Sequence, residues 1–167
     1  MDIDRFQPLD IVMVCGLPGA GKSHFSGTYF NKNNRKRINR KELRRLIYEM
    51  TNFGDPYRDE YFNDYDERLV HHVERKMIEH FLQERLPLLI DNSSVSVESR
   101  QYYTNVARQA RRTIGAIFLN VPIQKCLARN RSREDRLSEG IIANLYAGLE
   151  LPSKAEGFNE VLVLPDY

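Results

Sequence analysis

"GLPGAGKS", residues 16–23, stands directly after the apolar run "DIVMVC" (10–15). It satisfies G-x-x-x-x-G-K-[ST] at every fixed position. The context suits the pattern as well: a β-branched apolar run reads as a buried strand, and the residues from Lys22 to about Asn31 read as a helix. Each residue type has physical work to do. Glycines let the backbone curl so that successive N–H groups point at one anion, and the helix start adds its positive end. A lysine reaches the outer phosphates and a serine hydroxyl ligates Mg²⁺. The expected nucleotide cradle is therefore Gly16, Gly19, Ala20, Gly21, Lys22, Ser23 and His24.

Outward from this loop, strands and helices alternate. "NKNN" (31–34) stops the first helix, and residues 35–39 suit a short strand. Asn39 has the spacing of an N-cap with Glu42 three residues on, a capping box. Leu43, Leu46, Ile47 and Met50 recur at helical spacing, predicting a helix over 40–50 with that face in the core. "NFGDP" breaks it. A long helix is expected at 59–85, its stripe marked by Tyr65, Leu69, Val73, Met77 and Phe81. "PLLID" (87–91) and "TIGAIFLNV" (113–121) read as buried strands, with a helix at 97–112 between them. Pro122 opens a helix over 122–130, where a first-turn proline is tolerated. A helix at 138–149 and the strand "EVLVL" (160–164) complete the pattern. Such βαβ units imply an α/β fold with a mostly parallel sheet, helices on both faces, and ligands at the strands' carboxyl ends.

A chain of 167 residues suggests a single domain, with residues 1–9 as an N-terminal extension. No apolar run approaches the ~20 residues of a membrane span. "MDIDRFQPLD" lacks the hydrophobic stretch of a signal peptide. Cys15 and Cys126 are far apart, without metal-type spacing, and Cys15 reads as a core residue. A reducing, cytoplasmic setting is expected. The formal net charge of +2 does not mark a nucleic-acid binder. Charge is unevenly placed, however: basic at 35–45, 108–112 and 129–136, acidic at 55–67. Arg35–Arg37 read as solvated or near a strand edge.

Metal-assisted phosphoryl transfer needs an acidic partner on a neighbouring strand, and Asp91 is the candidate beside Ser23. It also needs cations on the transferring group. Arg129, Arg131, Arg133 and Arg136 form an arginine-rich segment of the kind that makes a lid. Arg129 and Arg133, one helical turn apart, can face one ligand.

In the order "GLPGAGKS", "INRKELRRLI", a strand ending in "DNSS", then "VPIQKCLARNRSR", the chain resembles the kinase domain of polynucleotide 5′-kinases, of the bacteriophage type and its RNA-repair relatives. That resemblance covers about 10–164. It implies a P-loop kinase fold and transfer of the γ-phosphate of ATP or another NTP to a 5′-hydroxyl of DNA or RNA, with Mg²⁺. It implies roles for Lys22 and Ser23 at the phosphates and magnesium, and for Asp91 at the metal. Arg44 then binds the acceptor phosphate, and Arg129 and Arg133 clamp the donor. Arg40, Lys41 and Asn92 fall on the acceptor side.

One departure is serious. After "INR" the family carries an aspartate that acts as general base, and here that position is Lys41. An ammonium with a free pKa near 10.4 accepts no proton at neutral pH. Glu42 and Asp91 are the substitute carboxylates nearby. Three readings follow: a kinase of polynucleotide 5′-hydroxyls, a small-molecule kinase acting on a nucleoside, sugar or antibiotic, or an NTP-binding module that has lost transfer through Lys41. A basic track of Arg40, Arg44 and Arg45 favours nucleic acid. Tyr57, Tyr61, Tyr65 and Tyr102 are candidate base-stacking residues, with packing as the commoner use of such spacing.

Overall fold

β1 (Ile11–Cys15) is buried along its whole length and lies at the centre of a five-stranded sheet. Around it stand β2 (Lys36–Ile38), β3 (Leu88–Asp91), β4 (Ile114–Asn120) and β5 (Glu160–Pro165), in the order β2-β3-β1-β4-β5. All four pairings are parallel. The computed structural model describes residues 2–31, 34–165 and 167, so Lys32 and Asn33 of the "NKNN" break lie outside the described residues. Burial on both faces explains why β1, β3 and β4 are continuous apolar runs rather than alternating ones.

The helices are α1 (Lys22–Phe30), α2 (Arg40–Thr51), α3 (Asp64–Gln83), α4 (Val97–Gln109), α5 (Ile123–Arg131) and α6 (Glu139–Ala147). Parallel crossovers are right-handed. The β1→β2 connection runs one way across the sheet and the later ones run the other, so α1 covers one face and α3 and α4 the opposite one. The chain leaves β1 for β2 and later passes over β1 from β3 to β4. That reversal opens a crevice above the carboxyl ends of β1 and β3.

Several expectations need correction. The long helix does not begin at 59: a 3₁₀ turn at Asp59–Tyr61 precedes it, and Asn63 caps α3 by accepting from the Asp66 N–H. Its buried stripe is Val70, Glu74, Ile78 and Leu82, while Tyr65 and Leu69 are exposed. Met77 and Phe81 of the expected stripe do pack against the core, while its fully buried line lies one residue along and includes Glu74. In α2 only Ile47 is buried, and Leu46 and Met50 face outward. The N-terminal stretch is no loose extension: Ile3, Phe6 and Leu9 belong to the core. Gly115 is small for that reason, since a Cβ there would collide with Phe6 and Leu9 side chains. Arg35 is not solvated either. Its guanidinium donates to the carbonyls of Phe6, Gln7, Leu9 and Leu88, tying the N-terminal segment to the sheet edge.

Candidate active site

β1 ends at Cys15, and residues 16–21 form the loop that opens α1. Gly16, Gly19 and Gly21 all have positive φ, which side-chain-bearing residues rarely adopt. Gly19 is doubly constrained, because a Cβ there would press into the Cys126 carbonyl of α5. Gly19→Ala is expected to destabilise the fold by at least ~2 kcal/mol, from left-handed strain plus that backbone clash. Urea unfolding checks this, and wild-type stability would contradict it. The Gly16 N–H donates to the Ser93 carbonyl, fastening the loop to the segment after β3.

The Lys22 ammonium donates to the Gly16 and Leu17 carbonyls, 3.0 Å each, and curls back over the loop. Burial pushes it down to about 8. Burial likewise pushes the Cys15 thiol up to about 12, so it is an inert core residue as its apolar run suggested.

Ser23 Oγ donates to Asp91 Oδ2 at 3.0 Å, so α1 and the end of β3 bring together the two expected metal residues. Asp91 is buried, and among the described residues its Oδ1 finds no hydrogen-bond partner. An orphaned buried carboxylate oxygen beside a hydroxyl suits Mg²⁺, which takes one or two protein oxygens and completes its shell with phosphate and water. No cluster of three or more His, Cys, Asp or Glu among the described residues offers an all-protein metal cage.

Arg37 was missed. From the middle of β2 it donates to Asp91 Oδ2 through Nε (2.9 Å) and Nη2 (2.6 Å) and grips both oxygens of Glu42 at 2.9 Å. This partner compensates the buried Asp91 charge. It also occupies both Glu42 oxygens, and its hydrogen bonds hold that carboxyl below the usual range. Asn39 caps α2 as its spacing suggested, accepting from the Glu42 N–H, yet the Glu42 side chain turns to Arg37 instead of closing the box. No pattern in "RKRINRKE" announces this, because Arg37 and Asp91 are 54 residues apart.

The N-terminus of α2 is stitched to the end of β3: Asn39 Nδ2 donates to the Asp91 carbonyl and the Arg40 N–H to Asn92 Oδ1, 2.8 Å each. Asn92 is buried, and its amide donates to Glu74 and Tyr103. Arg40 pairs with Glu74 and donates to the Tyr103 hydroxyl. Arg44 is held bidentate by Glu67 at 2.7 and 2.8 Å, over the Phe62 ring. These pairings correct the expectation of a free basic track, because two of its three arginines are neutralised by glutamates of α3. The tyrosines mostly pack: Tyr48 stacks on Tyr61 and meets Tyr57 edge-on.

Across the cleft, Arg129 donates to the Gly19 and Tyr167 carbonyls. Arg133 lies past the end of α5, so the two do not share a helix face as expected, yet both line the same cleft. Arg133 and Lys41 converge on Asp135. Lys41 Nζ donates to Asp135 Oδ2 at 2.5 Å, and Arg133 Nε to Oδ1 at 3.0 Å. The cleft enclosed by the glycine loop, α2, the 91–96 segment and this arginine-rich segment measures about 620 Å³. Lys22, Ser23, His24, Arg40, Lys41, Arg44, Asp91, Asn92, Arg129 and Arg133 all line it.

A central parallel strand, a glycine loop opening a helix, and a carboxylate at the end of the adjacent strand define the P-loop kinase fold. The AAA domain family model matches residues 11–152, and the chain belongs to that family. It is 24% identical over 143 residues to the L-seryl-tRNA(Sec) kinase of Methanococcus maripaludis, covering 85% of this chain and 53% of that protein. The chain thus spans about half the length of that curated relative. Among solved structures, a sugar kinase from Janibacter sp. superposes with a TM-score of 0.65 at 18% identity, over 95% of this chain and 86% of its own. A chain of the Pnkp1/Rnl/Hen1 RNA repair complex gives 0.66 at 19% identity, over 83% and 43%. Likeness at this level establishes the fold. Among the described residues no helix is long and apolar enough to cross a membrane.

Proposed function

We propose that the protein is an NTP-dependent phosphotransferase that moves the γ-phosphoryl group of ATP or another NTP to a 5′-hydroxyl of DNA or RNA. The observation that carries the reading is one cleft in which the Gly16–Ser23 loop, the Ser23–Asp91 pair and the α2 N-terminus with Lys41 and Arg44 face one another. Backbone N–H groups of the loop and Lys22 hold the donor phosphates, with Arg129 and Arg133 covering them from the lid side. Ser23 and Asp91 would hold Mg²⁺, which when bound neutralises charge on the transferring phosphoryl. The α2 N-terminus and Lys41 receive an anionic acceptor next to the attacked hydroxyl, and Arg44 joins them on release from Glu67. The likeness to a seryl-tRNA kinase and to an RNA-repair chain supports nucleic acid as that acceptor.

A small-molecule hydroxyl is the second reading. It is favoured by the Arg40–Glu74 and Arg44–Glu67 pairs, which leave no continuous basic track for a polynucleotide. The test is label transfer from γ-labelled NTP with Mg²⁺ to 5′-hydroxyl DNA and RNA oligomers and to a panel of nucleosides, sugars and aminoglycosides, beside Lys22→Ala. Transfer to oligomers supports the first reading and transfer only to small molecules the second. NTP binding with no transfer to any acceptor contradicts both and points to a module that only binds nucleotide.

Nucleotide binding should also take up a proton. In the free protein burial lowers Lys22 to about 8, below its ordinary value of 10.5. Between those values the unfolded chain holds a proton that the folded one lacks, so this group's contribution to stability rises with pH across that window. Bound phosphates favour the ammonium and reverse the shift. NTP affinity is therefore expected to weaken above pH 8, by up to about tenfold per pH unit. Calorimetry in buffers of different ionisation enthalpy reads the proton directly. Binding without proton uptake at pH 8–9 would contradict the assignment.

A further inference from the structure

The position at which the resemblance expects a carboxylate holds an ammonium, but that ammonium is not alone. Lys41 Nζ carries Asp135, bonding its Oδ2 at 2.5 Å and its backbone carbonyl at 3.2 Å. Arg133, which reaches the nucleotide cleft, grips the same carboxylate through Oδ1 at 3.0 Å and Oδ2 at 3.2 Å. Lys41 lines the nucleotide cleft and also a second hollow of about 500 Å³, and Asp135 lines that second hollow beside Ser23 and Asn39. A carboxylate therefore stands one side-chain contact from the α2 position that lacks one, delivered from the lid. The other two carboxylates face Arg37 rather than Lys41: both Glu42 oxygens are taken by Arg37, and Asp91 Oδ2 by Arg37 and Ser23.

We infer that Asp135 is the general base of this kinase, held against the acceptor hydroxyl by Lys41, and that Lys41 is its positioning residue. The inference rests on the kinase reading above. In the step, the acceptor oxygen forms a bond to the γ-phosphorus. The bond from that phosphorus to the β–γ bridging oxygen breaks, and NDP leaves with the electron pair. The hydroxyl proton passes to the Asp135 carboxylate and from there to water. Asp135 Oδ2 accepts from both Lys41 and Arg133, whereas Oδ1 accepts only from Arg133 Nε and keeps a free lone pair for the proton. Burial raises the Asp135 pKa, but Lys41 and Arg133 outweigh it and hold the carboxyl below its usual range. It is thus ionised at neutral pH. A weak base suffices, because in a loose transition state most of the barrier is met by positioning and charge stabilisation. The arrangement also couples chemistry to closure, since the base arrives with the arginine segment that covers the donor.

The experiment is single-turnover transfer at saturating NTP to whichever acceptor the wild-type protein labels, as a function of pH. Asp135 is more than half exposed, so Asp135→Asn is expected to fold normally, which thermal melting checks. Its rate should fall by about 10²-fold or more, the usual size of general-base assistance, and lose the acid limb of the pH profile. Lys41→Met should keep that limb but move it to higher pH, because the ammonium that holds the carboxyl down is gone. The double variant K41D/D135N returns a carboxylate to the α2 position and should recover at least tenfold over D135N. Since it lacks the Lys41–Asp135 ion pair, its recovery separates proton transfer from that latch. A D135N rate within twofold of wild type overturns the inference and leaves the kinase reading standing. So does a loss that K41D/D135N fails to recover. Absence of transfer by wild type to any acceptor overturns both.

Discussion

Lys22→Ala is expected to cut phosphoryl transfer by at least 10²–10³-fold, the scale set by removing one preorganised charge donor from a developing anion. The geometry makes compensation poor. The ammonium is tethered by the Gly16 and Leu17 carbonyls inside the loop's own curl, and among the described residues no other cation bonds to those two carbonyls. Arg129 touches the loop but is tied to the Gly19 and Tyr167 carbonyls, and Arg133 is tied to Asp135. Lys22→Arg is expected to fail almost as badly, because a planar fork does not fit where a compact ammonium is wrapped by backbone. Stability should move the other way. Burial disfavours the charged lysine in the free protein, so its removal should leave the melting temperature unchanged or higher. Single-turnover transfer and thermal melting of one preparation read both quantities. A Lys22→Ala protein that melts well below wild type would show that its lost activity reflects misfolding. One that transfers at wild-type rate would remove the loop from the chemistry altogether.

How far the sequence foretold this site depends on the range of each interaction. The loop was legible because its fixed positions lie within eight consecutive residues and each is dictated by backbone geometry. Asp91 was legible through its place at the end of an apolar run, and its Oδ2 lies 3.0 Å from Ser23 Oγ. The central strands β1, β3 and β4 were legible because burial leaves continuous apolar runs, whereas the edge strand β2 has only Ile38 buried. What failed were inferences about charged side chains. "RKRINRKELRRL" reads as basic surface, yet Arg35 holds backbone carbonyls, Arg37 engages Asp91, Arg40 pairs with Glu74 and Arg44 with Glu67. Each partner lies far away in sequence or across a turn, and charge patterning along one helix carries no record of it. The same blindness hid Glu74 in the buried line of α3. Glu74 reads as solvent-facing until Arg40, Asn92 and Tyr103 are seen to converge on it.

The second large effect is on stability and lies behind the site. Arg100→Met is expected to destabilise the fold by about 3–5 kcal/mol, the cost of breaking a buried ion pair from one side. Arg100 is fully buried in α4, and it donates to both Glu156 oxygens at 2.8 and 3.0 Å. Its remaining donor reaches the Glu150 carbonyl at 2.9 Å and the Ser94 carbonyl at 3.1 Å. One guanidinium thus joins the segment after α6 to the segment after β3 that forms the cleft wall. Removing it strands a nearly buried glutamate and leaves two carbonyls without that donor. For a chain of this size the melting temperature should fall by roughly 6–20 °C. The double variant R100M/E156M should be milder than R100M alone, because deleting both charges removes the uncompensated one. That non-additivity separates an ion-pair effect from loss of packing volume. An R100M protein within about 1 kcal/mol of wild type in urea unfolding, or a double variant as unstable as the sum of its singles, would contradict the assignment. Ser94 carries a positive φ of 41° next to this contact, and the neighbouring Ser93 carbonyl accepts from Gly16 of the nucleotide loop. Loss of Arg100 should therefore loosen the cleft wall first, raising hydrogen exchange across 92–96 well before global unfolding.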